Sequence, residues 1–443
     1  MHRSWLLFSV FVMSLSSLIL HGQMPQALSL PNAVFLAVEH NLQIKLARAE
    51  SDVAQLANHV GEAGFLPELN VIMEANESNQ DINLTFFSGE TINRENAKSQ
   101  ALRSAARVDW TLFDGMRMFA TLDRLNAMEE MSRQQLKWQT EDIIAEVVHR
   151  YADILVAEKM LVFQESNLDY SRRLLRISEQ KVKNGIGDRS EVLRLTADYY
   201  ADSSMTIRQR AEVSVQKHRF CQLLGMDPTD QFEVLNLPEA MSDLTLDEVL
   251  RSAQTDNPEL LINRYRKVAA EKSISEERAA FLPTLGSFGE FQDLRQINEV
   301  GVLERNFTNG FNYGLRVQWN IFDGNRNRRY VQQAKIVAQT LEWEKEDLER
   351  NVRAEAISLW KTHLASKQIG ELEQKSNALA EENLDLSLRR FERGIAEDIE
   401  VREARRNLTE NQLRLLEAQS EEYNALAEIL KLMGKGRDIL NQL

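Results

Sequence analysis

The chain is written twice, and this constrains its fold more than any other feature. Phe65-Leu66-Pro67 returns as Phe281-Leu282-Pro283, and Leu28-Ser29-Leu30 as Leu244-Thr245-Leu246, each 216 residues on. Trp110-Thr111-Leu112-Phe113-Asp114-Gly115 returns as Trp319-Asn320-Ile321-Phe322-Asp323-Gly324, 209 residues on. Gly185-Ile186 with Gly394-Ile395, and Leu223-Leu224-Gly225 with Leu432-Met433-Gly434, keep the same 209 offset. Five ordered landmarks with two consistent offsets mark a duplication. The offset drops by seven between the Phe-Leu-Pro and Phe-Asp-Gly motifs. A length change confined there points to an exposed loop.

Much of each copy reads as long helix. Only seven prolines occur, and residues 68–227 and 284–443 contain none. Proline costs ~3 kcal/mol in a helix interior, so these stretches permit long helices. Residues 116–184 hold neither Gly nor Pro, and 325–393 hold only Gly370. A continuous helix over the first would run about 100 Å. Further helical stretches are expected over 189–224 and 397–433, after turns at Gly185, Gly187 and Gly394. Val147, Ile154, Leu161, Leu168, Leu175 and Val182 recur every seven residues, as do Ala365, Leu372, Leu379 and Leu386. A straight helix would rotate such a stripe by ~20° per heptad, so the spacing predicts coiled-coil hairpins.

Other segments have period two. Leu102, Ser104, Ala106, Val108, Trp110 and Leu112 alternate with Arg103, Ala105, Arg107, Asp109 and Thr111. Phe311, Tyr313, Leu315, Val317, Trp319 and Ile321 alternate with Asn312, Gly314, Arg316, Gln318 and Asn320. This predicts β-strands with one apolar and one polar face. Their length suits a tilted membrane-spanning strand, with Trp110 and Trp319 near the ends where interfacial aromatics gather. A soluble sandwich strand alternates in the same way, and the strands alone do not choose between the two. Partner strands are expected near 69–76 and 285–292, with polar loops over 77–100 and 293–310. Four strands cannot close a barrel, and a spanning sheet must close, because open edges leave backbone groups unpaired in lipid. Membrane strands would therefore have to be shared between chains; three chains would supply twelve.

His2-Arg3 precede an apolar run over 5–20 and then His21-Gly22-Gln23, the pattern of a secretory signal peptide over 1–23. The mature chain is expected in a bacterial envelope. Mean hydropathy of -0.39 excludes a polytopic helical membrane protein, but alternating strands pass beneath that measure. A formal net charge of -14 argues against nucleic acid as a partner. Cys221 is the only cysteine, so no intrachain disulfide is possible, and its apolar setting predicts a packed small hydrophobe.

Taken in order, these residues resemble the TolC-like outer-membrane efflux proteins. The likeness covers essentially the whole mature chain. It rests on Leu28-Ser29-Leu30 with Ala33 and Asn41-Leu42, the paired motifs, the paired glycine turns and the repeat. The resemblance implies a homotrimer, with a shared twelve-stranded β-barrel in outer-membrane lipid and a long α-helical tunnel through the periplasm. It implies work with an inner-membrane transporter and a periplasmic adaptor, the membrane fusion protein, in drug, metal or type I protein export. It also implies acidic residues six and nine positions after the second turn glycine, here Glu400 and Glu403. The first copy has Glu191 at the sixth position and Arg194 at the ninth. Rings of carboxylates at a trimer tip would favour cations; a solvated acidic helix face is the plainer reading. Some members carry a gate tyrosine and an arginine around that glycine. This chain has Phe391 and Ala396 there, so their hydrogen-bonded lock is not expected.

The seven histidines are scattered, and no HExxH, P-loop or nucleophile-elbow motif occurs. Gly434-Lys435-Gly436 reads as a helix terminus. No catalytic, metal or cofactor site is expected. The expected fold is mainly α with membrane β. The first copy spans 24–240, with strands over about 68–113 and a hairpin over about 116–225. The second spans 241–443, with strands over about 284–322 and a hairpin over about 325–434. The expected function is a passive export channel. Trp110, Leu112, Phe311, Tyr313, Leu315, Val317, Trp319 and Ile321 would meet lipid, and Gly185 and Gly394 would turn the chain at the inner tip. The alternative is a soluble periplasmic coiled-coil scaffold or adaptor.

Overall fold

A computed structural model of the chain describes residues 27–236, 244–301, 303–393, 395 and 398–441. The expected signal peptide, Gly394 and Ala396 lie outside these residues. The first half runs β1 (Ala27–Leu28), α1 (Leu30–His40), α2 (Leu42–Ala57), β2 (Glu68–Thr85), β3 (Thr91–Phe113), α3 (Arg117–Lys183) and α4 (Arg189–Leu224). The second runs β4 (Glu233–Val234), α5 (Leu246–Thr255), α6 (Pro258–Ala279), β5 (Thr284–Asn298), β6 (Arg305–Gln318), α7 (Arg326–Glu392) and α8 (Asp398–Leu432). A 3-10 turn, Gly436–Asn441, follows. Helices α3 and α7 each have 67 residues, about 100 Å at 1.5 Å per residue. Among the described residues no helix is long and apolar enough to cross a membrane.

The recurring motifs build the same joints in both halves. Asp114 accepts the Met118 N–H at 2.9 Å, and Asp323 accepts the Asn327 N–H at 2.8 Å. Each satisfies a donor in the first turn of a long helix, which has no intrahelical partner. Chain direction reverses through two left-handed residues, Gly115–Met116 and Gly324–Asn325, with φ between 65° and 76°. Asn41 caps α2 through its side-chain oxygen and donates its amide to the Leu223 carbonyl at 2.8 Å. Asn257 caps α6 and donates to the Leu432 carbonyl at 3.0 Å. One side chain thus starts a short helix and satisfies a carbonyl at the end of a long one.

The core lies where α1, the parallel β1–β4 pair and the long helices meet. Tyr151, Phe220, Leu224, Leu426, Ile429 and Leu430 are fully buried, each worth ~1.5–3 kcal/mol relative to exposure. The Tyr151 hydroxyl lies 2.8 Å from the carbonyls of Leu28 and Leu235, which pins the small strand pair onto α3. Cys221 is buried, and burial pushes its thiol pKa up.

The sheet has the antiparallel order β2-β3-β5-β6. Its strands run farther than alternation suggested. The ladder continues through Thr85 paired with Thr91, so most of the expected loop over 77–100 is paired strand. Polar residues occupy both faces there, which hides period two while backbone pairing continues. At the other end β6 stops at Gln318, so Trp319 and Ile321 follow the strand. Strand β3 is central and extends through Phe113, whereas β6 is an edge. Leu112 sits where the β3–β5 register shifts between Thr111 and Phe113.

The heptad series also part company. In the first, Val147 and Ile154 are buried and the others half-buried. In the second, Ala365, Leu372, Leu379 and Leu386 are exposed. Helix α7 presents that seam outward from the chain.

Candidate channel wall and tip

Cross-strand pairing sorts the sheet into two faces. Val71, Ala106, Phe291 and Phe311 form one row, and Leu69, Val108, Gly289 and Tyr313 the next. Trp110, Ser287 and Leu315 continue the same face. On β6, Phe311, Tyr313, Leu315 and Val317 are 69 to 82% exposed. Four large apolar side chains in one row need a covering medium, since exposed apolar patches mark interaction or membrane surfaces.

The opposite face is charged and organised. Arg103 donates to Glu290 at 2.7 Å, Arg107 donates to Glu290 at 3.3 Å, and Arg107 pairs with Asp109 at 2.6 Å. Phe288 lies between the Arg107 and Arg316 guanidiniums, 5.5 and 5.3 Å from its ring centre. Glu290 as the hub of this face was not read from the sequence. Its strand alternates weakly, with Phe288 on the polar face and Ser287 and Gly289 on the apolar one.

The tryptophans have a bonding role besides their position. The Trp110 indole donates to the Phe65 carbonyl at 2.9 Å, and the Trp319 indole to the Phe281 carbonyl at 3.0 Å. Each Phe-Leu-Pro motif is thereby tied to its Phe-Asp-Gly partner.

At the far end of the long helices, Gly185 has φ 78° and follows Asn184 at the end of α3. The Ile186 N–H bonds the Lys181 carbonyl at 3.0 Å, and the Ile395 N–H bonds the Arg390 carbonyl at 2.9 Å. Both tips therefore close in the same way. Glu191 lies in the first turn of α4 and is half-buried. The structure places Glu400 2.9 Å from Arg390 and Glu403 2.6 Å from Arg406. The acidic pair is thus matched by two arginines, the second already legible at i+3 spacing. Arg402 reaches from α8 to Asp198 of α4 at 2.9 Å, and Arg405 reaches Ser166 of α3 at 2.8 Å while stacking on Tyr170. These contacts join the two halves near the tip.

Nearer the core, a groove of about 860 Å³ is lined by His149, Asp153, Glu212, Glu417, Glu421 and Glu428. His149 lies 3.2 Å from Glu428, which also takes Lys431 at 3.3 Å. On α3, His149 and Asp153 lie on the side away from Tyr151 and the small strand pair.

A sheet apolar on one side and ion-paired on the other, carried on helices too polar for lipid, fits an outer-membrane protein whose strands rather than helices meet the bilayer. The chain belongs to the outer membrane efflux protein family, whose model matches residues 34–226 and 249–435. It is 21% identical over 431 residues to the outer membrane efflux protein BepC of Brucella suis biovar 1, covering 95% of this chain and 88% of BepC. It is 22% identical over 313 residues to the alkaline protease secretion protein AprF of Pseudomonas aeruginosa, covering 70% and 64%. The fold is similar to that of the Campylobacter jejuni CmeC outer membrane channel, with a TM-score of 0.75 at 15% identity, over 93% and 89% of the two chains. The protein is an outer-membrane protein of efflux and secretion type. That location removes the support for a soluble periplasmic scaffold.

Proposed function

We propose that three copies of the chain form one passive export duct, with a shared twelve-stranded barrel in outer-membrane lipid and a helical tunnel below it. The observation that carries this reading is the register obtained by transposing one half onto the other. Within the chain, Val108 pairs with Gly289 and Ala106 with Phe291. Moving β3 forward by 209 and β5 back by 216 brings β6 of one copy beside β2 of the next. Val317 then faces Met73, Leu315 faces Ala75 and Trp319 faces Val71. Leu315, Val317 and Trp319 meet the apolar residues of β2, while Phe311 and Tyr313 fall farther along the same face, opposite Asn79 and Glu77. A slip of one residue would put them on the charged face. The same pairing would extend β6 through Trp319 and Ile321.

Two copies would give eight strands, whose interior is filled by side chains. Three is the smallest number that leaves a passage around Arg103, Arg107 and Phe288. The Trp110 and Phe311–Ile321 rows would meet lipid, and Glu290 with its arginines would face the lumen. Glu400 and Glu403, with Glu191 beside them, would line the tip opening. Gly185 and Gly394 would turn the chain there, where a periplasmic adaptor would dock and an inner-membrane transporter would supply the energy. Because Arg390 and Arg406 offset the tip carboxylates, the expected cation preference is moderate.

Purified protein in a planar bilayer tests this reading. Discrete conductance steps with a cation preference are expected. A folded, membrane-inserted oligomer that conducts no ions would contradict it.

A further inference from the structure

We propose that the pocket where α2, α3 and the segment after α8 meet binds a small soluble oxyanion carrying two or more negative charges. The pocket has a volume of about 430 Å³ and takes Arg48 from α2, Arg133 and Lys137 from α3, and Lys435 and Arg437 from beyond α8. Arg133 is held by Glu129 at 2.5 Å and Glu130 at 2.8 Å. Among the described residues, Arg48, Lys137, Lys435 and Arg437 have no carboxylate within 4.0 Å. Four cations without ion pairs thus surround one cavity in a chain of net charge -14. Two acids also line it, Glu141 and Asp438. The Glu141 carboxylate accepts the Gly436 N–H, so part of its charge is already bonded within the chain, and burial pushes its pKa up. The volume suits a ligand of modest size, and clustered guanidinium and ammonium donors favour phosphate or carboxylate oxygens.

Comparison of the halves separates this feature from the needs of the fold. The positions equivalent to Arg133 and Lys137 are Glu342 and Glu346, and those equivalent to Lys435 and Arg437 are Met226 and Pro228. Only Arg48 keeps its charge, as Arg264. Helix C-termini attract cations, yet α4 ends without this cluster. The location also narrows the ligand. Arg133 and Lys137 lie 16 and 20 residues into α3, about 24–30 Å along the helix from the sheet. A lipid headgroup at the sheet end cannot span that distance, so the oxyanion comes from solution. The pocket lies within one chain and does not depend on the channel reading.

Isothermal titration of the full-length protein in neutral detergent tests this, with pyrophosphate and citrate as probes and chloride at matched ionic strength. Saturable binding at one site per chain is expected. Lys137→Gln with Arg437→Gln should weaken it by at least roughly tenfold, about 1.4 kcal/mol. The exposed Lys435→Gln single variant should weaken it less and serves if the double variant fails to fold. Arg208→Gln, outside the pocket, should leave binding unchanged. Binding of pyrophosphate alone assigns a phosphate ligand, and binding of citrate alone a carboxylate. No saturable heat with either probe, or an equal loss in Arg208→Gln, would overturn the proposal. Displacement of pyrophosphate by phosphatidylglycerol vesicles would overturn the soluble source.

Discussion

Gly115 and Gly324 close the same motif with the same left-handed turn, yet their surroundings differ. A Cβ on Gly115 would lie 2.5 Å from the Ala279 carbonyl and 2.9 Å from Leu282, at the end of α6. A Cβ on Gly324 would meet nothing within 4 Å. The residues equivalent to Ala279 and Leu282 are Ala63 and Leu66, in the turn that follows α2. In the single chain, α3 has α6 beside it, held by Arg124–Glu276 at 2.8 Å and Lys272–Asp123 at 2.7 Å. Helix α7 shows Ile336, Val337 and Trp343 to solvent, while α2 shows Leu46, Val53 and Leu56. In the proposed ring of copies, the two exposed faces would be the halves of one joint, matching the contact that is satisfied inside the chain between the repeats.

The largest test separates these glycines. Gly115→Val forces a β-branched residue into a left-handed backbone and against α6, and should cost about 3 kcal/mol or more in the folding of one chain. Gly324→Val should cost a single chain only the backbone strain, about 1–2 kcal/mol, but should abolish assembly. Denaturant unfolding and light scattering measure the two effects; equal loss of folding in both variants would break the comparison. A smaller effect probes where the halves agree. Asn41→Ala and Asn257→Ala each remove a cap and a side-chain bond to a long helix. Each should destabilise by ~1–3 kcal/mol, and a difference far beyond ~1 kcal/mol would show the joints are not equivalent.

At the tip the expected changes are smaller. Glu400→Gln with Glu403→Gln should reduce cation preference in bilayer recordings, and Arg390→Gln with Arg406→Gln should increase it. An unchanged reversal potential in both would remove these residues from the entrance. The smallest effect is local. Asp188 caps α4, and hydrogen bonds from the Ser190 hydroxyl and then its N–H hold its pKa below the ordinary 3.8. A lowered carboxyl contributes stability above the ordinary value that is lost as pH falls through the folded one. The start of α4 should therefore fray first in acid below about pH 4, and Asp188→Ala should remove that pH dependence, as followed by amide exchange at Ser190.

Helices and motifs were legible because their signals are local. Missing proline, heptad spacing and repeated Phe-Asp-Gly each act on neighbouring residues. The alternating part of β6 was legible for the same reason, since one apolar and one polar face impose period two. The outer part of the β2–β3 ribbon, over 77–100, was not, because polar residues on both faces leave no pattern. The Arg103–Glu290–Arg107 cluster required knowing which strands pair, with residues 103 and 290 far apart in sequence. Glu400 and Glu403 were found on their helix, but Arg390 lies on the preceding one, across a turn that spacing does not fix.

The central claim is that β6 of one copy pairs with β2 of the next in the transposed register. In a Cys221→Ala background, Met73→Cys with Val317→Cys should place two thiols directly opposite across neighbouring copies, ~4.5–5.5 Å apart at Cβ. Mild oxidation of the membrane-inserted protein should then give covalent dimers and trimers on denaturing gels. Ile72→Cys with Val317→Cys puts the thiols on opposite faces and should give none. Crosslinking of the second pair but not the first, or of neither in a correctly inserted protein, would contradict the shared barrel.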